Sequence, residues 1–140
     1  MKILYVDNYI DLVIPRGSNE LVSYIKANTK IPVLGHADGV CHIYVAHDAD
    51  PIKAERIIID AKTDYPSACN ALECLLIHED VVHKGLVDKL LRRLRAMGVS
   101  LYGGPTAMKL GLTEQPVKDM HTEYGDLKMS IEVVSSMSEE

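Results

Sequence analysis

Short apolar runs alternate with helical patterns along this sequence, and that alternation limits the folds open to it. Asp11-Leu12-Val13-Ile14 reads as a short buried strand closed by Pro15-Arg16-Gly17-Ser18. Ser18 or Asn19 is placed to cap the next helix, Glu20 suits its first turn, and Leu21, Val22 and Ile25 give it one apolar face. Ile31-Pro32-Val33-Leu34 is a second strand. The order strand–turn–helix–strand is a βαβ unit, which predicts that the two strands run parallel.

The alternation continues. Gly35-His36-Ala37-Asp38-Gly39 is a turn-rich loop, and His42-Ile43-Tyr44-Val45 is a third strand. Asp48-Ala49-Asp50-Pro51 starts a helix with an acidic cap and a proline in the first turn, and Ile52, Ile58 and Ile59 are expected on its core side. A polar loop around Cys69 leads to a strand through Cys74-Leu75-Leu76-Ile77. Val82, Leu86, Leu90, Leu94 and Met97 recur at helical spacing, so a single long helix is expected from Glu79 to Met97, stopped by Gly98. Val99-Ser100-Leu101-Tyr102 is a strand followed by the Gly103-Gly104-Pro105 turn. Residues 113–125 form a polar connection, and 128–134 is a last strand. Ser135-Ser136 looks like the cap of a helix that residues 137–140 begin, which suggests a piece of a longer chain.

Composition narrows the function. At 140 residues and 47% apolar content, the chain can bury a core of its own. Lys plus Arg (15) is outnumbered by Asp plus Glu (20), and Arg92-Arg93 and Arg95 lie in a helical pattern that reads as a solvated face. These features argue against nucleic-acid binding. No apolar run approaches the roughly 18 residues needed to span a membrane, and Met1-Lys2-Ile3-Leu4 lacks the features of a signal peptide. Three cysteines, Cys41, Cys69 and Cys74, have no framework spacing, so a reducing compartment is the simpler reading than a disulfide scaffold.

Cys69 stands out among them. It lies in Asp64-Tyr65-Pro66-Ser67-Ala68-Cys69-Asn70, between an apolar helix and an apolar strand, with Ser67 and Ala68 leaving room for a carbonyl substrate. A thiolate there is a candidate nucleophile, with the backbone N–H groups near Cys69 and Asn70 facing a developing oxyanion. The competing reading is a passive small residue. Cys74 and Cys41 read as structural. Pro15-Arg16-Gly17-Ser18 offers a glycine, a helix N-terminus and a guanidinium to an anion, or is an ordinary strand-to-helix turn. Neither a G-x-x-x-x-G-K-[ST] nor a G-x-G-x-x-G pattern occurs. His36, Cys41, His42 and His47 have the residue types of zinc ligands, but Cys41 and His42 are adjacent on a strand and point to opposite faces, and the spacing matches no closed zinc motif. A metal-binding module using His36, Cys41 and His47 is the weakest of the readings considered.

Three segments together carry a resemblance: Asp11-Leu-Val-Ile-Pro-Arg-Gly-Ser-Asn19, Ile31-Pro-Val-Leu-Gly-His-Ala-Asp-Gly39 and Asp64-Tyr-Pro-Ser-Ala-Cys-Asn-Ala-Leu-Glu73. They resemble γ-glutamyl phosphate reductase, also called glutamate-5-semialdehyde dehydrogenase. That enzyme occurs alone or as the C-terminal half of Δ1-pyrroline-5-carboxylate synthase, and it belongs to the aldehyde dehydrogenase superfamily. The resemblance covers nearly the whole chain, including Ser130-Ile131-Glu132-Val133-Val134. It implies an aldehyde dehydrogenase-like, parallel-sheet, three-layer α/β fold. Residues 1–34 would close the cofactor-binding domain, and 35–140 would form a cysteine-bearing catalytic domain, truncated at its C-terminal end.

The resemblance also implies an activity: NADPH-dependent conversion of L-glutamyl 5-phosphate to L-glutamate 5-semialdehyde, in proline biosynthesis. Cys69 would be the nucleophile, Pro15, Arg16, Gly17 and Ser18 the rim of the NADPH site, and His36, Asp38 and Asn70 candidates for proton handling or substrate contact, with no metal. Oxidising relatives use a glutamate base to hydrolyse their thioester. The matching loop here, Leu34-Gly35-His36-Ala37-Asp38-Gly39, lacks one, which suits an enzyme that must keep its thioester from water. The superfamily's upstream oxyanion-hole asparagine is also absent. Expected partners are a glutamate 5-kinase domain or protein and further copies of the parent, in the cytoplasm, or in mitochondria for an animal bifunctional enzyme. The isolated chain is expected to be inactive, because half the NADPH site would lie outside it. The alternative is a catalytically inactive structural or interaction piece of that enzyme.

Overall fold

The computed structural model describes residues 7–17, 19–35, 39–83 and 85–136. These fall into two compact units, residues 1–38 and 39–140. Ser18, His36 and Asp38 lie outside the described residues.

In the first unit, helix α1 (Asn19–Asn28) buries Val22 and Ile25, which are three residues apart on one face, together with Ile31 just beyond its end. The two flanking strands expected from the sequence shrink to a single parallel bridge, Val13 to Val33. The Val13 amide donates to the Pro32 carbonyl (2.9 Å), and the Leu34 amide donates to the Val13 carbonyl (3.0 Å). The parallel sense holds, but the strand lengths do not. Leu12 and Ile14, read as part of a buried strand, are exposed, and so is Leu34.

The second unit is built on a five-stranded sheet: β1 (Cys41–Val45), β2 (Leu72–His78), β3 (Ser100–Gly103), β4 (Gln115–Pro116) and β5 (Lys128–Val134). The order is β1-β2-β5-β3-β4 and every pairing is parallel. Parallel strands covered on both sides read as nearly unbroken apolar runs, and Leu72 to Ile77 is buried at every position. Leu75, Ile77, Ile131 and Val133 share one face and pack in the main core with Ile58 and Ile59 of α2 (Pro51–Thr63) and Leu90, Leu91 and Leu94 of α4 (Leu86–Ala96). Each such side chain contributes roughly 1.5–3 kcal/mol by leaving water. The opposite face carries a smaller cluster, Cys74, Leu76 and Val134, with Tyr44 and Met120 against it.

Helix α2 starts as expected. The Asp50 carboxylate accepts from the Ile52 and Lys53 amides, and Pro51 occupies the first turn. Its core stripe is different. The buried positions are Glu55, Ile58, Ile59 and Lys62, while Ile52 is 68% exposed. The helical period favours the 55–58–59–62 face, and two charged residues lie on it because both have partners there.

The expected long helix is two. Helix α3 (Glu79–Val82) ends at His83, and α4 starts after Gly85, whose φ of 74° breaks the helical path. Leucine spacing alone does not show this break, because Val82 still packs against the same core. Met97 is exposed, contrary to expectation. The sequence reading also missed α5 (Pro105–Lys109) and β4. The Glu132 carboxylate caps α5, accepting from the Thr106 and Ala107 amides.

Candidate functional site

Cys69 sits on an exposed turn between the end of α2 and the start of β2. Local hydrogen bonds shape the turn: the Ala68 amide donates to the Tyr65 carbonyl (3.0 Å), and the Ala71 amide donates to the Ala68 carbonyl (2.9 Å). The amides of Cys69 and Asn70 between them donate to no acceptor among the described residues. Two backbone donors without an acceptor among the described residues therefore lie beside an exposed thiol.

Because the turn precedes β2, Cys69 lies at the N-terminal edge of the parallel sheet. Open α/β sheets usually bind ligands outside the carboxyl ends of their strands. Here the carboxyl edge offers a depression lined by Glu79, His83, Thr106 and Leu110, with no thiol in it. Cys69 is at the opposite edge.

Three segments converge there. Gly39, just before β1, donates its amide to Glu123 Oε2 at 3.3 Å. A Cβ on Gly39 would fall 2.6 Å from the Cys69 carbonyl oxygen and 3.0 Å from Glu123 Oε1, so only glycine fits between them. The Cys41 thiol donates to that same carbonyl at 3.4 Å. The Cys69 main chain is thus seated against the start of β1 and the Glu123 segment while its side chain faces solvent.

Beneath the turn lies a buried ion pair. Lys62 Nζ donates to Glu73 Oε2 (3.0 Å) and to the Leu72 carbonyl (2.8 Å), with the two side chains 0% and 1% exposed. Glu73 Oε1 accepts from the Gly125 amide (3.0 Å), and the Glu73 carbonyl accepts from the Ser130 hydroxyl (3.2 Å). Nearby, Tyr124 stacks on Tyr102 with ring centroids 5.5 Å apart. Burial, with Tyr102 and Glu73 adding to it, pushes the Tyr124 phenol up to about 12.

The other residues singled out from the sequence separate into groups. Asn70 adjoins Cys69 on the turn and is exposed. Cys74 is buried in the smaller cluster. In the first unit, Pro15, Arg16 and Gly17 precede α1; Arg16 is exposed, and Gly17 has φ 145°, with Leu21 filling the space a Cβ would need. Among the described residues no group of three or more His, Cys, Asp or Glu is placed to hold a metal. His42 Nδ1 contacts the Val40 carbonyl, and the His47 ring lies against His78.

Sequence reasoning missed Gly39, Lys62, Glu73 and Glu123. For two of them a signal existed. Lys62 falls on the helical stripe of Ile58 and Ile59, and Glu73 interrupts an apolar strand. Charged residues are almost never buried unless paired, so two such positions flanking one loop predict each other.

No protein-family model matches the chain. It is 54% identical over 136 residues (97% of its length) to a Δ1-pyrroline-5-carboxylate synthase of Solanum lycopersicum, of which it spans 19%. It is 48% identical over 139 residues to a γ-glutamyl phosphate reductase of a Synechococcus strain, of which it spans 32%. The crystal structure of γ-glutamyl phosphate reductase from Thermotoga maritima superposes with a TM-score of 0.89 at 37% identity, covering 99% of this chain and 34% of that one. A glyceraldehyde-3-phosphate dehydrogenase from Methanocaldococcus jannaschii, solved with NADP, shares the fold at a TM-score of 0.69 and 14% identity. The chain is therefore similar throughout to one segment of these reductases and synthases, and its α/β fold is that of aldehyde dehydrogenases.

Proposed function

We propose that this chain is the cysteine-bearing segment of an NADPH-dependent γ-glutamyl phosphate reductase, which converts L-glutamyl 5-phosphate to L-glutamate 5-semialdehyde in proline biosynthesis. One observation carries the reading: an exposed thiol, Cys69, on a turn where its own amide and that of Asn70 meet no acceptor among the described residues.

The chemistry follows from that arrangement. The Cys69 thiolate attacks the acyl carbon of the acyl phosphate, and the Cys69 and Asn70 amides donate to the oxyanion that forms. The C–O bond to phosphate breaks, inorganic phosphate leaves, and a thioester to Cys69 remains. NADPH, when bound, would supply a hydride to the thioester carbon. The reduced adduct is a thiohemiacetal on Cys69; its C–S bond breaks, the aldehyde leaves and the thiolate returns. His36 and Asp38 are the sequence's candidates for proton handling. Arg16, exposed ahead of α1, and the backbone at Gly17 suit the phosphates of a dinucleotide, since a guanidinium and a helix N-terminus both favour anions. A glutamate 5-kinase domain or protein would supply the acyl phosphate, and the parent is proposed to be a homo-oligomer.

The test is reduction of L-glutamyl 5-phosphate by the full-length protein that contains this segment, followed as NADPH oxidation. Cys69→Ser is expected to lower kcat to background, with the 140-residue chain alone inactive. Near-normal turnover by Cys69→Ser would overturn the reading.

A further inference from the structure

We infer that the buried Lys62–Glu73 pair is a positioning device for Cys69: it holds both ends of the turn that presents the thiol. This rests on the reading of Cys69 as the acyl acceptor. Lys62 is in the last turn of α2, and Glu73 is the second residue of β2, so the pair joins the two ends of the segment that contains Cys69. Lys62 Nζ also grips the Leu72 carbonyl, one residue before Glu73. The strand is irregular at this point. Cys41 pairs with Leu72 and His42 with Cys74, which leaves Glu73 as an extra residue in the ladder with β1. Such a bulge re-aims a side chain and bends the strand. Here the re-aimed carboxylate meets Lys62 on one oxygen and the Gly125 amide on the other.

Stability alone is a poor reason for the pair. Two fully buried charges lose their hydration, and apolar residues of similar volume often hold a core equally well or better. The pair does what an apolar contact cannot: directed hydrogen bonds fix which residue of the strand faces the helix end, and hence the register in which the turn leaves α2 and enters β2. Gly125 extends the grip to the segment that carries Glu123, which in turn binds Gly39 beside the Cys69 carbonyl. All three segments around Cys69 are therefore indexed to the Glu73 carboxylate. Lys62 and Glu73 touch no reacting atom; they act through the turn.

The double substitution Lys62→Met/Glu73→Leu separates positioning from folding. In the 140-residue chain, melting and the amide exchange of Leu75 and Ile131 should stay near wild type, while exchange of the Ala68 and Ala71 amides rises about tenfold. In the full-length protein, kcat should fall about a hundredfold with KM for NADPH unchanged, as displacement of a reacting group predicts. If the double variant does not fold, Glu73→Gln, which keeps the shape, is read by the same two measurements. Unchanged turn exchange, or unchanged kcat in a variant whose turn has loosened, overturns the inference. Absence of reductase activity in the wild-type full-length protein would instead overturn the functional reading, and turn exchange alone would then decide whether the pair positions Cys69.

Discussion

Replacing Gly39 with alanine should disturb Cys69 through its main chain, leaving the thiol itself unaltered. The backbone at Gly39 is outside the left-handed region, so alanine meets no torsional penalty there. The effect is steric. The new methyl would lie 2.6 Å from the Cys69 carbonyl oxygen, which is main chain and has no rotamer to change. Relief requires a displacement of about 0.8 Å, the difference between 2.6 Å and the 3.4 Å at which ordinary contact begins. That movement strains the Cys41 thiol's bond to the same carbonyl and the Gly39 amide's bond to Glu123. Overpacking of this kind costs about 1–3 kcal/mol, or a fall of about 4–12 °C in the melting temperature of a domain of this size. A shift approaching 1 Å at a reacting group costs up to about a hundredfold in rate. The assay is thermal melting of the chain beside kcat of the full-length protein. Gly111→Ala is the control: its φ of 69° makes alanine strained, but no atom lies within 4 Å of the added methyl. That variant should lose stability and keep kcat. A Gly39→Ala protein with wild-type melting and turnover would show that the Cys69 turn is not seated as described.

Two further outcomes follow from titrating groups. The Glu55 carboxylate accepts from Lys89 and Arg93, each at 2.8 Å, tying α2 to α4, and these bonds hold its pKa below the ordinary 4.5. A depressed carboxylate stabilises above its unfolded value and loses that contribution as pH falls through the folded one, so denaturant midpoints should drop below about pH 4.5, and less steeply in Glu55→Gln. Tyr124 is raised from 10.0 to about 12, so its contribution is complete below pH 10 and fades as pH rises toward 12. Ultraviolet titration should show a late tyrosine step near pH 12; Tyr124→Phe should remove it, and a late step that survives the substitution would contradict its assignment.

The sheet was largely legible because buried parallel strands announce themselves as apolar runs: Cys74 to Ile77 did so within β2, and residues 128–134 were read at the bounds β5 has. The start of α2 was legible because a carboxylate followed by proline has few other uses. The break at Gly85 was not, since the leucine spacing runs through it and only the backbone turns away. Strand order was also hidden: β5, last in sequence, inserts between β2 and β3, and no local pattern encodes that choice. At the site, the Cys69 loop was read from its small and polar residues. Its seat was not, because Gly39 and Glu123 are brought to it by the sheet from distant parts of the chain. Lys62 could have been found by placing it on the helical stripe with Ile58 and Ile59, where a lysine demands a partner.

The central claim is that Cys69 accepts the acyl group, and trapping the acylated protein tests it most directly. The full-length protein is mixed with L-glutamyl 5-phosphate without NADPH, quenched in acid, digested and mapped by mass spectrometry. The account predicts a hydroxylamine-sensitive glutamyl thioester on the peptide containing Cys69, formed with release of phosphate and absent in Cys69→Ser. A thioester on Cys41 or Cys74, or phosphate release at the wild-type rate by Cys69→Ser, would contradict it.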